Sequence, residues 1–241
     1  MRLYRAAIVM DDLGEELPAA QELLRLPYPL TFSVLPGLPA SREVAGRAHA
    51  AGRQVMLHLP MEALPGAGVG PGAGAIRVGM PSAQVERIID ADLESVPYAE
   101  GVNNHMGSSA TADATLMAEV MKTLAARRLY FIDSRTTASS VALDAARQAG
   151  LPAFYRSVFL DDTQTVAYTL GQLRRFRAAI LQQGVALAIG HPHPATIIAL
   201  QKCLPEFERD DIELVPASEL VRLPEVARLS PPRRPGTASG D

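Results

Sequence analysis

Residues 8–14 read IVMDDLG, an apolar run typical of a buried strand that ends in two adjacent aspartates, Asp11 and Asp12. Four later stretches repeat the arrangement of an apolar run followed by polar side chains: VMLHLPME (55–62), GVNNHMGS (101–108), LYFIDSRTT (129–137) and ALAIGHPHP (186–194). Parallel strands separated by helices have all their carboxyl ends on one face, where ligands and catalytic groups collect. The five stretches are therefore predicted to converge on one spot. Their carboxylates and imidazoles form the ligand set of a hydrolytic metal site.

The composition limits the size and class of the protein. The 241 residues fit one large domain or two small ones, and 48% hydrophobic residues suffice for a substantial core. A net charge of −3, without any long run of Lys or Arg, argues against nucleic-acid binding. The single cysteine, Cys203, excludes an intrachain disulfide and a cysteine-based zinc cluster. Nothing in the composition indicates an oligomeric state.

The two ends of the chain carry different signals. The amino terminus MRLYRAAIVMDD lacks the pattern of a signal peptide, because its apolar run continues straight into the first acidic cluster. Either the protein is cytoplasmic or this chain has lost an export segment. No run approaches the roughly 18–20 consecutive apolar residues of a membrane-spanning helix. The last stretch, SPPRRPGTASGD, is rich in Pro, Gly and small polar residues, which predicts a disordered tail over 224–241 after a domain spanning 1–223.

Short β-rich runs alternate with helical patterns along most of the chain. Continuously apolar runs are typical of parallel strands buried on both faces, and this alternation predicts an α/β fold with a parallel sheet, either open or closed. Because the chain has no dinucleotide fingerprint, we favour a single (β/α) barrel-like domain. The predicted strands are Ala6–Met10, Leu30–Leu35, Gln54–Leu59, Gly101–Asn104, Leu129–Ile132, Ala153–Arg156, Val185–Ile189 and Ile212–Val215. The predicted helices include Ser41–Ala51, Ser82–Val96, Asp113–Arg127, Leu143–Ala149, Thr165–Gln183 and Ala195–Arg209.

A glycine-rich segment, ALPGAGVGPGAGAIRVG at residues 63–79, interrupts this alternation. It lacks the Gly-Lys-Ser/Thr ending of a P-loop and does not satisfy the dinucleotide-binding pattern. We therefore interpret it as a flexible surface loop. Because it directly follows His58 and Glu62, its alternative role is a lid or a substrate-binding edge.

The first two clusters offer the metal-binding chemistry. Asp11 and Asp12 can divide labour, one binding a metal while the other acts as a general base, although a helix cap or a solvated turn would also use aspartates. His58 follows the run QVML and is a candidate ligand, the alternative being a core or turn histidine. Glu62 is a candidate ligand, a partner that orients His58, or a charged loop residue.

The two middle clusters, GVNNHMGS and LYFIDSRTT, contain two amides, an imidazole, and an acidic and a basic side chain that can pair. Asn103 and Asn104 offer donors and acceptors suited to a sugar or to support of the site, and a simple turn would look similar. His105 is expected to face the pocket. Asp133 can pair with Arg135 or with a histidine, and Arg135 can orient a catalytic carboxylate; the alternative is a structural ion pair beneath the site.

The last cluster, GHPHP, places two histidines around a stiff proline. His191 comes first after the strand and is the candidate general acid, whereas His193 is expected to support it. His49 lies in a helical run and is expected to be a surface or packing residue. Asp161 and Asp162 precede a helix, so helix capping competes evenly with a role in the site.

The ordered motifs DDLG, PLTFSVLPGLP, HLPME, GVNNHMGS, FIDSRTT and IGHPHP resemble the divergent polysaccharide deacetylase family over residues 6–220. This family is a branch of the metal-dependent polysaccharide deacetylases. The resemblance implies a distorted (β/α) barrel of about seven strands with a divalent-metal site, usually zinc. It also implies an N-acetylated poly- or oligosaccharide substrate, and a location in the cell envelope, the periplasm or outside the cell.

The resemblance further implies that Asp11 is the catalytic base and Asp12 a metal ligand. The wider superfamily supplies a histidine pair at H-x-x-x-H spacing, but this chain has Glu62 where the second histidine would stand after His58. The superfamily's Arg-Pro-Pro-Tyr-type motif is replaced by NNHMGS, from which we infer that His105 completes the metal site. The superfamily's final strand ends in a histidine, which His191 matches.

Together these roles predict hydrolysis of an acetamide. The metal lowers the pKa of a water and polarises the carbonyl, Asp11 removes the water proton, and His191 protonates the departing amine. Two other functions fit the same fold. One is a catalytically weak carbohydrate-binding module, which would have no need of a base. The other is a metal-dependent hydrolase of a different amide or ester.

Overall fold

The computed structural model describes residues 4–66, 70–72 and 74–223. The predicted tail and part of the glycine-rich segment lie outside these ranges. The described chain forms nine strands and eight α-helices, with one short 3₁₀ helix at Ala110–Ala112. The strands are β1 Tyr4–Leu13, β2 Thr31–Val34, β3 Gln54–Met61, β4 Ala99–Met106, β5 Tyr130–Asp133, β6 Ala153–Tyr155, β7 Val158–Phe159, β8 Val185–Gly190 and β9 Ile212–Leu214. The helices are α1 Leu17–Leu24, α2 Ser41–Ala50, α3 Ser82–Ser95, α4 Ala114–Ala126, α5 Ala142–Gln148, α6 Val166–Gln183, α7 Pro194–Arg209 and α8 Ala217–Leu220.

All pairings between these strands are parallel, in the order β6-β5-β4-β3-β2-β1-β8-β7, with β9 on β1. The sheet curls into a half-barrel surrounded by helices, which confirms the predicted single α/β domain with a distorted barrel. The two edge strands, β6 and β7, are consecutive in the chain and are joined by Arg156 and Ser157. The sheet has nine strands, whereas the family resemblance implies about seven. Two of the nine, β7 and β9, are only two and three residues long.

Every predicted strand is present, and its ends differ from the prediction by only a few residues. Strands β3 and β8 are buried along their whole length, as expected for parallel strands covered on both faces. The structure adds four elements that the sequence pattern did not predict: α1, the 3₁₀ helix, β7 and α8. None of the helices in the described ranges is both long and apolar enough to cross a membrane.

The interior of the half-barrel is filled by alternate residues of its strands. Register pairs Met56 with Gly101 and His58 with Asn103 on β3 and β4. Gly101 is required at its position, because a Cβ there would lie 2.3 Å from the ring of Tyr130. Since side chains alternate along a strand, the same face that carries Gly101 at the amino end carries Asn103 toward the carboxyl end. The alternation thus places polar groups at the carboxyl-end opening.

Candidate metal centre

A β-bulge in β1 brings both aspartates to the carboxyl-end opening. The register with β2 runs from Met10 opposite Phe32 to Leu13 opposite Val34, so β1 carries one extra residue. Asp12 takes up this residue in a left-handed conformation, with φ of 56°. Normal alternation would send adjacent side chains to opposite faces, but the bulge lets Asp11 and Asp12 share one cavity.

Asp12, His58 and His105 form a tight cluster of ligand atoms. Asp12 Oδ1 lies 3.2 Å from His58 Nε2 and 3.0 Å from His105 Nδ1, and the two imidazole nitrogens are 3.1 Å apart. These nearly equal separations match a tetrahedral zinc site, in which bonds of about 2.0–2.1 Å put neighbouring ligands roughly 3.3 Å apart. The donor set and its spacing therefore fit a divalent metal.

The electrostatics of this cluster also fit a cation. Asp12 Oδ1 is buried, and although two imidazole nitrogens lie within 3.2 Å of it, it accepts no well-oriented hydrogen bond from the described parts of the chain. Burial alone would raise the pKa of Asp12, but His105, His58 and His191 outweigh burial and hold that pKa well below its ordinary value. An ionised, buried and unpartnered carboxylate oxygen is costly unless a cation or a donor meets it. A metal ion bound by the three atoms would meet it.

The side-chain amide of Asn103 connects the proposed base to the cluster. Its Nδ2 donates to both oxygens of Asp11, at 2.8 and 3.1 Å, so the amide nitrogen must face that carboxylate. Its Oδ1 accepts from Ser33 Oγ at 2.6 Å and lies 2.9 Å from His58 Nδ1. An acceptor opposite Nδ1 requires the proton on that nitrogen, so neutral His58 presents the lone pair of Nε2 to the metal position.

The charge of His58 responds to the two aspartates. Burial would lower its pKa, but the negative charges of Asp11 and Asp12 raise the pKa above the ordinary value for histidine. A metal that binds Nε2 therefore competes with a proton for that nitrogen.

A separate hydrogen-bonded unit holds His191 beside the cluster. Its Nδ1 lies 2.9 Å from Asp161 Oδ1, and its backbone N–H donates to Asp161 Oδ2 at 2.6 Å. Thr196 Oγ1 donates to the same oxygen at 2.7 Å. Burial alone would lower the pKa of His191, but the Asp161 hydrogen bond, together with the charges of Asp11, Asp161 and Asp12, raises it to about 9. The ring is therefore protonated at neutral pH, and its Nε2 lies 3.6 Å from Asp12 Oδ2.

One cavity of about 350 Å³ joins these groups. Asp11, Asp12, His58, His105 and His191 all line it, so the structure brings together every residue predicted to act as base, ligand or acid. Their individual chemical roles stay predictions.

The remaining predicted residues fall into two groups. Asn104 and Asp133 shape the turns at the rim: Asn104 Oδ1 accepts from the Ser134 N–H at 2.9 Å, and Asp133 Oδ1 accepts from the Arg135 N–H at 2.8 Å. Burial raises the pKa of Asp133, although the hydrogen bond from the Arg135 N–H partly offsets it. Arg135 lines the cavity, but Asn103 rather than Arg135 holds the Asp11 carboxylate.

Glu62 and His193 lie at the edge of the arrangement. Glu62 Oε2 accepts from the Val78 N–H at 2.8 Å, so this carboxylate anchors the end of the glycine-rich segment and is not part of the ligand cluster. The His193 ring centre lies 5.7 Å from that of His191, at the start of α7.

Three supporting residues were not assigned to the site from the sequence. Ser33 lies within the strand TFSV and is buried. In the sequence, a serine inside a strand-like run is the one feature that indicates a role for it. The sequence around Asp161 is compatible with a helix cap or a site role, and in the structure Asp161 is the partner of His191. Thr196 lies on α7 and carries no motif of its own.

Comparisons with known proteins identify the family of this chain. The family model for divergent polysaccharide deacetylases matches residues 8–221. The chain belongs to this family. Its relatives include the uncharacterised protein YibQ of Escherichia coli, which is 39% identical over 229 residues, covering 95% of this chain and 71% of the relative. Among solved structures, an uncharacterised protein of Agrobacterium tumefaciens superposes with a TM-score of 0.86 at 25% identity, covering 91% of this chain and 90% of the other.

More distant structures share the fold alone. The catalytic domain of a peptidoglycan N-acetylglucosamine deacetylase from Eubacterium rectale has a TM-score of 0.57 at 13% identity, with 88% of each chain covered. A CE4 family pseudoenzyme from Bacillus anthracis has a TM-score of 0.59 at 10% identity, covering 90% of this chain and 65% of the other. The fold of this chain therefore occurs both in a protein named as a deacetylase and in one named as a pseudoenzyme.

Proposed function

We propose that this protein is a metal-dependent hydrolase that removes acetyl groups from N-acetylated sugars of a poly- or oligosaccharide, with zinc as the metal. The observation that carries this proposal is the near-equilateral set of ligand atoms from Asp12, His58 and His105, with a carboxylate and a protonated imidazole beside it. The family membership supports the amide bond of an N-acetyl group as the bond that is hydrolysed.

Asp12, His58 and His105 would hold the metal. When bound, a divalent ion lowers the pKa of a water molecule and polarises a carbonyl oxygen. Asp11 accepts the proton of the attacking water, because its buried carboxylate lines the cavity and is fixed by Asn103. Asn103 also keeps His58 in the tautomer that presents Nε2.

His191 completes the reaction on the leaving-group side. With a pKa of about 9 it is protonated at neutral pH, and it donates that proton to the departing nitrogen. Asp161 holds the ring in place and stabilises the protonated form. Water and the acetamide thereby become acetate and a free amino sugar.

The rival function is a carbohydrate-binding protein on the same fold, since a fold does not by itself establish activity. The presence of Asp11 favours the hydrolase, because a binding protein needs no base beside the metal ligands. Binding of chito-oligosaccharides by the zinc-loaded protein without release of acetate would favour the rival.

The test is the Asp11→Asn variant with zinc bound. We expect acetate release from chito-oligosaccharides to fall about 100- to 10,000-fold while the zinc content is retained, because the variant loses its general base. Asp144→Asn, the same change at an exposed position of α5, is the control and keeps the full rate. A full rate in Asp11→Asn with full zinc content would disprove the assignment of the base.

A further inference from the structure

Arg135 has a strained backbone that its neighbours enforce. It follows β5 with φ of 50°, in the left-handed region that residues with a Cβ rarely adopt. Its N–H donates to Asp133 Oδ1 at 2.8 Å, and its carbonyl accepts from Arg156 Nη2 at 2.8 Å. Arg156 Nε also donates to the Ser134 carbonyl at 2.6 Å. Strain of this kind persists where the surroundings over-determine it, and it clusters at ligand sites.

The side chain of Arg135 is half-buried and lines the same cavity as Asp11 and His191. Across the described ranges, we find no hydrogen bond from its guanidinium to a protein acceptor; its ring contact is Tyr155, with Cζ 5.9 Å from the ring centre. The nearby Asp133 carboxylate is already engaged, since its second oxygen accepts from Ser140 Oγ at 2.8 Å. The donors of Arg135 are therefore available to a ligand in the cavity.

Arg156 adds a second cation to this wall. Its guanidinium lies 4.8 Å above the ring of Phe159, and that ring meets His191 edge-on at 5.3 Å. A neighbouring cleft of about 390 Å³ shares Arg156, Phe159 and Asp162 with the site cavity, and it adds Arg175. Asp162 is exposed and is the acidic residue lining that cleft, so the arginines outnumber it.

We propose that Arg135, positioned by Arg156, forms a subsite for an anionic substituent of the substrate, either a carboxylate or a phosphate. The inference rests on the proposed deacetylase function and narrows its substrate class to acidic N-acetylated glycans. A guanidinium binds both anions in a bidentate manner, and such charge-assisted pairs are stronger than neutral hydrogen bonds. A neutral glycan would offer the Arg135 guanidinium no charged acceptor.

The test measures binding separately from turnover. The zinc-loaded Asp11→Asn protein is titrated calorimetrically with three glycans of equal length: neutral chitotriose, a trisaccharide containing N-acetylmuramic acid, and one containing a 6-phosphate. We expect one or both acidic glycans to bind about 10- to 100-fold more tightly than chitotriose. This preference should weaken as salt rises from about 50 mM to 500 mM. The two acidic arms distinguish a carboxylate from a phosphate.

Variants of Arg135 test whether this residue causes the preference for acidic glycans. Arg135→Gln should remove most of it, because it weakens binding of the acidic glycans far more than binding of chitotriose. Arg135→Lys keeps the charge but loses the fork of donors, so it should retain part of the preference. Arg87→Gln, an exposed position of α3, is the matched control and should change nothing. If Arg135→Gln does not fold, the lysine variant alone must still reduce the preference.

The outcomes separate this inference from the proposed function. Equal binding of all three glycans, or equal loss of all three in the Arg135 variants, would overturn the anionic subsite. If the protein with Asp11 intact releases acetate from chitotriose and acidic glycans at the same rate, the deacetylase function stands and the subsite fails. If acidic glycans bind through Arg135 but no glycan releases acetate, the subsite stands and the deacetylase function fails.

Discussion

The two ends of the half-barrel each contain a buried amide at the centre of a polar network, Gln54 at the amino end and Asn103 at the carboxyl end. At the amino end, Gln54 Oε1 accepts from the Ser218 N–H at 2.9 Å and from Tyr130 Oη at 3.0 Å, while Nε2 donates to Glu100 at 3.1 Å. Helix α8 covers this end. Among the described residues, none of these groups contains an unpartnered buried atom.

The carboxyl end differs in one respect. There Asp12 Oδ1 is buried and accepts no hydrogen bond from the described residues. A buried polar network that satisfies itself stabilises a fold, whereas one that leaves a charged oxygen open is completed by a ligand. The fully paired network at the amino end is therefore structural. The network at the carboxyl end, which leaves a carboxylate oxygen open, is that of a binding site.

The largest expected effects come from removing the two amides in turn. Asn103→Leu should weaken zinc binding about 10- to 100-fold, because His58 loses the partner that fixes its tautomer. Gln54→Leu should leave zinc affinity unchanged but lower the free energy of unfolding by about 1–3 kcal/mol, because it leaves buried donors unpartnered. Calorimetric zinc titration and urea unfolding measure the two quantities. A Gln54 variant that loses zinc as strongly as the Asn103 variant would remove the distinction between the ends.

A smaller effect is expected in the pH dependence of hydrolysis. The rate should fall as the pH rises through the pKa of His191, because the deprotonated ring has no proton to donate. That pKa is about 9, and the charge of a bound metal opposes the carboxylates, so the fall should lie at or below pH 9. Asp161→Asn removes a charge that raises the pKa, so the fall should move to lower pH. A purely structural role for Asp161 would lower the rate at every pH without moving the profile.

The smallest effect is expected at Glu62. Its carboxylate accepts from the Val78 N–H and lies outside the ligand cluster, so Glu62→Gln should retain the full zinc content and most of the hydrolytic rate. Elemental analysis and acetate release test this directly. Loss of zinc in Glu62→Gln would place Glu62 among the ligands.

Much of this architecture could be predicted from the sequence because the strands are apolar and their ends are polar. The runs before Asp11, His58, His105 and His191 mark both the strands and the face on which the site lies. The metal cluster follows from that convergence. Short elements escaped prediction, since the four residues of α8 and the two of β7 contain no complete period of a pattern.

The contacts that organise the site needed the structure. The β-bulge at Asp12 has no sequence signal, because aspartate is common in turns of every kind. Ser33 and Asn103 meet across 70 positions of sequence, and only the strand register brings them together. Asp161 precedes a helix, so its sequence context cannot separate a helix cap from the partner of a catalytic imidazole.

The most direct test of the central claim is the zinc content of the purified protein and of His105→Ala, measured by elemental analysis after equilibration with limiting zinc. The site described here predicts about one zinc per chain in the unmodified protein. It predicts a value well below that in His105→Ala, with the fold retained. If His105→Ala keeps its zinc, the metal centre formed by Asp12, His58 and His105 is contradicted.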